Sequence, residues 1–392
     1  MPLSGIRVID LTRILSGPFC TMMLGDMGAE VIKIEPPDEG DPLRGQGVIK
    51  NGLSWYFSSV NRNKKSLTLN LYTKEGKEIL ASLIRKSDVV VVNFRPDVMD
   101  KMGFGYSHLK LLKPDIIYCG ITGFGVDGPY KDRPAFDFII QAMSGLMSLN
   151  GKEGEEPMRV GVPISDLIAG LYAAYGIVAA LFHRARTGQG QEIQTSLMDG
   201  LISFFSFMSS NFLASGQLPV RTGNDHPIVA PYGIFKATDG DLAIAPSNDK
   251  VYEKLITALE LNHLKGHPDF ATNDQRMINR ENINAIIQQK IGTQSCAFWV
   301  DYLNQSGVPC SVIMNLSDVF KDPQVLHQEM LLEIEHPGYG LVKMTGFPLK
   351  LGSTCSKVRL PAPKLGEHTV EILKDLGLDG EAVKSLKEKG TI

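Results

Sequence analysis

Five short runs rich in β-branched residues recur through the first third of the chain and constrain its fold more than any other feature. They are IRVIDL (6–11), AEVIKIE (29–35), SLTLNL (66–71), DVVVVNF (88–94) and DIIYCGITG (115–123). Helix-like segments separate several of them. Gly17-Pro18 opens one, proline being suited to a first helical turn. TKEGKEILASLIRKSD (73–88) places Ile79, Leu80, Leu83 and Ile84 on one face. Strands that read as continuous apolar runs are buried on both faces, so helices must cover a mostly parallel sheet. The expected fold class is α/β, with a large domain that is Rossmann-like in outline.

The later half reads differently. From Ile164 a long helix-like segment reaches Arg186 and is broken by TGQGQ (187–191), after which an apolar stretch runs over 196–216. The polar RTGNDHP (221–227) has the look of a linker, and YGIFKATDGDLAIAP (232–246) reads as two strands joined through Asp239-Gly240. Helices near 249–260, 280–290 and 295–305, then a strand at 308–314, make a smaller α+β unit. An amphipathic tail, LGEHTVEILKDLGL (365–378), closes the pattern. The expected domains are 1–190 (N-terminal part of the large Rossmann-like domain), 191–221 (linker), 222–318 (small α+β domain), 319–345 (linker) and 346–392 (returning to the large domain).

At about 150 residues per domain, 392 residues make roughly two domains, each able to bury its own core. Forty basic against 43 acidic side chains leave a net charge of −3, without the basic excess of a nucleic-acid binder. Five cysteines with no C-x-x-C pair suggest neither a disulfide framework nor a zinc site. The first strand-like run begins at Ile6, leaving no room for a signal peptide, and the uncharged stretch 167–182 falls short of the ~20 apolar residues a bilayer needs. A cytoplasmic protein with neither a nucleic-acid nor a membrane partner is expected.

The chemical signals are sparse. Gly123-Phe-Gly125-Val-Asp-Gly128 matches a dinucleotide fingerprint literally, but Pro129 and Pro134 follow instead of a helix, so a glycine-rich active-site loop is the better reading. There is no G-x-S-x-G, H-E-x-x-H or Walker lysine, and the eight histidines, His183 among them, are scattered; no metal is expected. Asp166 has two readings. It stands with Ser165 where the apolar helix starts, as a capping acid would. Held among glycines and apolar walls, it could instead serve as a covalent nucleophile. Basic residues follow several strand ends, in NRNKK (61–65), NFRP (93–96), Lys101 and KDRP (131–134), where an open α/β sheet binds ligands and cations suit a phosphorylated one.

These segments, in this order, resemble the family III CoA-transferases, which include formyl-CoA, carnitine and succinyl-CoA-dependent dicarboxylate transferases. The likeness runs through GIRVIDLTRILSGPFCTMMLGDMGAEVIKIEPP, SVNRNKKSLTLNL, VVNFRPDVMDKMGFGY, IIYCGITGFGVDGPYKDRPAFDFIIQAMSG, GVPISDLIAGLYAAYGIVAAL, RTGQGQ and LGEHT. It implies that Asp166 is the catalytic aspartate, forming aspartyl anhydride and aspartyl-CoA intermediates. By the same resemblance, Leu69, Tyr72, Asn93, Phe94, Arg95 and Lys101 would contact CoA, with Arg133, Ala135, Phe136 and Asp137 bordering the thioester and Leu15 and Ser16 near the acyl group. Charge pairing with the phosphates would fall to Arg95, Lys101, Lys64 and Arg133. Acyl-CoA and a small carboxylate would be substrates, with no tightly bound cofactor, on an interlocked homodimer.

Three departures qualify the resemblance. The racemase branch uses a His-Asp pair where this chain has Phe136-Asp137, and phenylalanine exchanges no proton. Leu15 replaces a glutamine of formyl-CoA:oxalate enzymes, and APSNDK (245–250) replaces their glycine-rich lid. The family's arginine after the second strand is Pro36 here. The wording looks most like the succinyl-CoA-dependent dicarboxylate members, with Arg13, Arg221 and His226 as candidate groups for the acceptor carboxylate. A 2-methylacyl-CoA racemase and a non-catalytic CoA-binding protein stand as alternatives.

Overall fold

The computed structural model describes all 392 residues. The five β-branched runs become five strands, β1 (Arg7–Asp10), β2 (Glu30–Glu35), β3 (Lys64–Thr68), β4 (Val89–Val92) and β5 (Ile117–Thr122). A sixth, β6 (Glu192–Ser196), joins the far edge, giving the order β3-β2-β1-β4-β5-β6 with every pair parallel. Successive strands are laid down on one side of β1 and then on the other. A crevice opens at such a reversal, beyond the carboxyl ends of β1 and β4.

Helices cover the sheet as the apolar runs require. They are α1 (Ser16–Asp26), α2 (Lys74–Arg85), α3 (Tyr106–Leu112), α4 (Asp137–Ser144), α5 (Ile164–Thr187) and α6 (Leu197–Ser203). Ile79, Leu80, Leu83 and Ile84 of α2 are all buried, against Ile9, Ile32, Leu67 and Val90 from alternate positions of four strands. On the other face α5 packs against α1, β5 and β6. By length and composition α5 could cross a membrane, and 44% of its most apolar window is buried within the protein.

The chain divides into two compact units, one of Met1–Ser144, Val160–Phe207 and Pro323–Ile392, the other of Gly145–Arg159 and Met208–Asp322. The second holds an antiparallel sheet of β7 (Gly233–Lys236), β8 (Asp241–Ile244) and β9 (Cys310–Val312), with β8 central. Its helices α7 (Asp249–Ala258), α8 (Arg280–Ile291) and α9 (Cys296–Gln305) bury Leu255, Ile287 and Trp299 against Phe235 and Leu242. In the first unit, residues 331–345, within the linker expected at 319–345, form a hairpin of β10 (Leu331–His336) and β11 (Gly340–Thr345). The amphipathic tail forms α10 (Thr369–Asp375) and α11 (Gly380–Glu388), whose Ile372, Leu373 and Leu386 enter the same core as α2.

Candidate active site

The turn between β1 and α1 is built on buried charge. Asp10 is fully buried and accepts from the Thr12 amide (2.9 Å) and hydroxyl (2.5 Å), the Thr21 hydroxyl (2.7 Å) and Lys64 Nζ (3.0 Å). Lys33 Nζ donates to the Thr12 carbonyl at 2.9 Å and pairs with Asp41 at 2.8 Å. Asp41 in turn accepts from the Ile14 amide (3.2 Å) and the Leu43 amide (3.0 Å). Burial alone would raise the Asp10 carboxyl. The Lys64 and Lys33 charges and the threonine hydroxyls outweigh it and hold Asp10 below the usual carboxylate range. Burial likewise pulls Lys64 down, to about 8, against the pull of Asp10. This network overturns one expectation: Lys64 has no access to a CoA phosphate, because its ammonium is sealed against Asp10, Asn61 and the Pro18 carbonyl.

The network holds a strained turn. Ile14 has φ +65°, a left-handed conformation that is a genuine outlier for a β-branched residue. Asn93, just beyond β4, grips the residue before it from both sides, accepting from the Arg13 amide (2.9 Å) and donating to the Arg13 carbonyl (2.7 Å). Gly17 is required because a Cβ there would lie 2.3 Å from Thr12 Cβ.

Asp166 is the third residue of α5, and it does not cap that helix. The capping role belongs to Asp137, whose Oδ1 accepts from the Ser165 amide (3.0 Å) and hydroxyl (2.8 Å) while Oδ2 accepts from Gln141 (2.7 Å). The carboxylate of Asp166 is thereby released to the crevice, whose wall it shares with Ser16, a hydroxyl near enough to favour its ionised form. Gly170, one turn further along α5, explains how Ser16 comes so near. A Cβ at that position would stand 2.5 Å from the Ser16 carbonyl, so only glycine lets the start of α1 lie against α5. Burial first, and the nearby Asp137 charge second, push the Asp166 carboxyl up to about 7, against the lowering effect of Ser16.

The crevice is a cavity of about 250 Å³ at the reversal of strand order. It gathers Leu15, Ser16, Asn93, Phe94, Arg95, Arg133, Ala135, Phe136 and Asp166, nine residues named from the sequence. Gly123 belongs to its wall, and a Cβ there would meet Ala135 Cβ at 2.3 Å, so this glycine lets the 133–136 loop close over the end of β5. The G-x-G-x-x-G pattern thus serves a loop; the next helix starts only at Asp137. Four cations line the cavity, Arg13, Arg95, Lys131 and Arg133, against one acid, Asp166. Lys131 leans toward Asp97 at 3.8 Å, and Arg133 lies over the Tyr130 ring at 3.7 Å.

The remaining sequence-derived residues fall elsewhere. Leu69 and Tyr72 line a neighbouring cavity of about 390 Å³ together with Arg13, Pro36 and Phe94. Lys101 is exposed on the short helix Val98–Met102 and lines neither cavity. Asp137 is buried and spends both oxygens on Ser165 and Gln141, so it organises the wall without facing the ligand space. Of the three candidates for the acceptor carboxylate, Arg13 lines the cavity, whereas Arg221 and His226 belong to the other unit. Sequence reasoning missed the Asp10–Lys33–Lys64–Asp41 network. Charged residues inside β-branched runs, as in EVIKIE, were the available sign of it.

Comparison with known proteins places the chain in a family. The profile of CoA-transferase family III matches residues 3–369. Human succinyl-CoA:glutarate CoA-transferase is 37% identical, covering 100% of this chain and 90% of its own length. The succinyl-CoA:mesaconate CoA-transferase of Haloarcula marismortui is 38% identical, covering 96% of this chain and 97% of its own. A crystal structure of a CAIB/BAIF family protein from Brucella suis superposes with a TM-score of 0.85 at 39% identity, covering 96% of this chain and 99% of that one. With a family profile over nearly the whole chain and full-length relatives at 37–38% identity, the chain belongs to CoA-transferase family III, acting on CoA thioesters as a CoA-transferase.

Proposed function

We propose that this enzyme moves CoA from a dicarboxylic acyl-CoA, succinyl-CoA being the first candidate, to a second dicarboxylate such as glutarate or mesaconate, with Asp166 as the covalent carrier. One observation carries the reading: a carboxylate held up to about 7 at the head of a cavity lined by four cations. A raised pKa makes the ionised oxygen a better nucleophile than an ordinary aspartate, while leaving about half of it ionised at neutral pH.

The chemistry balances without a proton donor. An Asp166 oxygen attacks the thioester carbonyl, the C–S bond breaks, and the thiolate leaves a mixed anhydride. The thiolate then attacks the aspartyl carbonyl, expelling the donor acid as a carboxylate and leaving an aspartyl-CoA thioester. The acceptor carboxylate attacks that thioester and frees the thiolate again. The thiolate finally takes the acyl group from the new anhydride, which restores Asp166. Each intermediate is activated, so the thioester's free energy is retained, provided water is kept out. The cations supply the field that draws anionic substrates in and stabilises developing negative charge. No histidine lines the cavity, and Phe136 stands where a racemase would keep its base, which counts against proton transfer at an α-carbon.

We further infer that the enzyme works as an interlocked homodimer, with the two compact units of each chain as its large and small domains. Support comes from α5, where Leu171, Tyr175, Val178 and Phe182 make an exposed apolar stripe at helical spacing. The test of function offers succinyl-, acetyl- and formyl-CoA to a panel of mono- and dicarboxylates and reads new acyl-CoA species by mass spectrometry. New species with wild type and none with Asp166→Ala are expected; exchange that survives Asp166→Ala would overturn the role of Asp166.

A further inference from the structure

The two cavities beyond β1 and β4 have only two side chains in common, Arg13 and Phe94. Their walls differ in charge. The one with Asp166 has four cations; the other has Glu35, Asp38 and Glu39, and its single cation is Arg13. Glu35 is neutralised by Arg44 at 2.7 Å, which leaves Asp38 and Glu39 to repel an anion placed deep in that pocket. Apart from Asn70 the rest of the pocket is apolar, with Leu69, Leu71, two prolines and a Tyr72 that is 94% exposed. Such a wall suits an uncharged aromatic base. A ligand spanning both cavities must therefore pass Arg13, the one cation they share, and a diphosphate between its two ends would lie there, while a phosphate on the adenosine ribose would have to stay toward solvent, clear of Asp38 and Glu39.

Arg13 is prepared for that position. Its guanidinium donates to no protein acceptor and lies 5.5 Å from the centre of the Phe94 ring. Its backbone is gripped on both sides by Asn93, and the amide of the strained Ile14 that follows is held by Asp41. Little ordering remains to be done on binding. Two other guanidiniums without an acceptor line the first cavity, but neither reaches the second: Arg95 also lines a separate pocket with Asp97, Asp100 and Glu192, and Arg133 lies over the Tyr130 ring.

We propose that Arg13 receives the diphosphate of the CoA thioester by charge-assisted hydrogen bonds, with the adenine on the Tyr72 side and the thioester on the Asp166 side. The assignment rests on the reading of the enzyme as a CoA-transferase. It gives the phosphate contact to a residue of the first βα turn, ahead of Arg95, Lys101 or Arg133.

Calorimetric titration of CoA, 3′-dephospho-CoA and pantetheine into wild type and Arg13→Met provides the test, since methionine keeps a stem over Phe94 and removes the charge. Charge-assisted bonds to a phosphate predict an affinity loss of about 10- to 100-fold for CoA. The loss should be equal for 3′-dephospho-CoA and absent for pantetheine, and Arg13→Lys should recover part of it. The KM for acyl-CoA should rise and that for the acceptor acid should hold. A loss that disappears with 3′-dephospho-CoA would move the contact to the 3′-phosphate and overturn the assignment. Weakened pantetheine binding, or a KM effect on the acceptor alone, would overturn it equally. If wild type shows the Arg13-dependent pattern but exchanges no acyl group, the transferase reading fails and Arg13 stands. If exchange proceeds and Arg13→Met binds CoA normally, only the Arg13 assignment fails.

Discussion

Replacing Asp166 with asparagine should abolish transfer and at the same time make the protein more stable at neutral and alkaline pH. The folded protein holds the Asp166 proton up to about 7, against 3.8 for an ordinary aspartate. Between those two values the folded state binds more proton than the unfolded chain, so stability falls as pH rises and the loss is complete above about 7. At about 1.4 kcal/mol for each pH unit, the ionised carboxylate costs the fold up to about 4 kcal/mol, an upper bound for a side chain that keeps some contact with water. Asparagine is close in shape and never ionises. Urea denaturation of wild type and Asp166→Asn should therefore give nearly equal stabilities at about pH 4 and a gap of about 2–4 kcal/mol in favour of the variant at about pH 8. Acyl exchange should drop by at least about 10³-fold, as expected for loss of a covalent nucleophile. A variant no more stable than wild type at about pH 8, or a gap that does not depend on pH, would refute the claim that the fold holds this carboxylate in an unfavourable ionisation state for use in catalysis.

Three further outcomes follow from the same site. Asp137→Asn removes the charge that helps raise Asp166, so the acid limb of the kcat/KM profile, expected near pH 7 in wild type, should move to lower pH. A profile that stays in place would mean burial alone sets Asp166. Lys64→Met leaves Asp10 ionised and buried without its partner, and should cost about 3–5 kcal/mol in chemical denaturation; a loss below 1 kcal/mol, on the order of a surface pair, would contradict the buried network. Gly170→Ala drives a methyl to 2.5 Å from the Ser16 carbonyl, so it should cost about 1–3 kcal/mol and lower kcat by parting Ser16 from Asp166. Unchanged stability and kcat would show that α1 and α5 are not held at this spacing.

The parallel sheet was legible because Val89–Val92 and Ile117–Thr122 are buried on both faces, and such strands must be written as unbroken apolar runs. The edge strand β6 was not, since Glu192–Ser196 buries only one end and carries a single large apolar residue. The hairpin at 331–345 hid for a similar reason, with LLEIEH pairing mainly with its own partner strand. At the site, the residue types were readable and their division of labour was not. Asp137 and Asp166 both precede or enter a helix in the sequence; only the fold shows that Asp137 satisfies the Ser165 amide while Asp166 turns to the cavity. Lys64 shows the opposite limit, because a lysine in a polar run reads as solvated until a fully buried Asp10 is found opposite it.

The most direct test of the central claim is to trap the carrier. Wild-type enzyme incubated with succinyl-CoA and hydroxylamine, then digested and sequenced by mass spectrometry, should carry a hydroxamate on Asp166, formed only when the acyl-CoA is present. Transfer of CoA that proceeds while Asp166 remains unmodified would contradict the account.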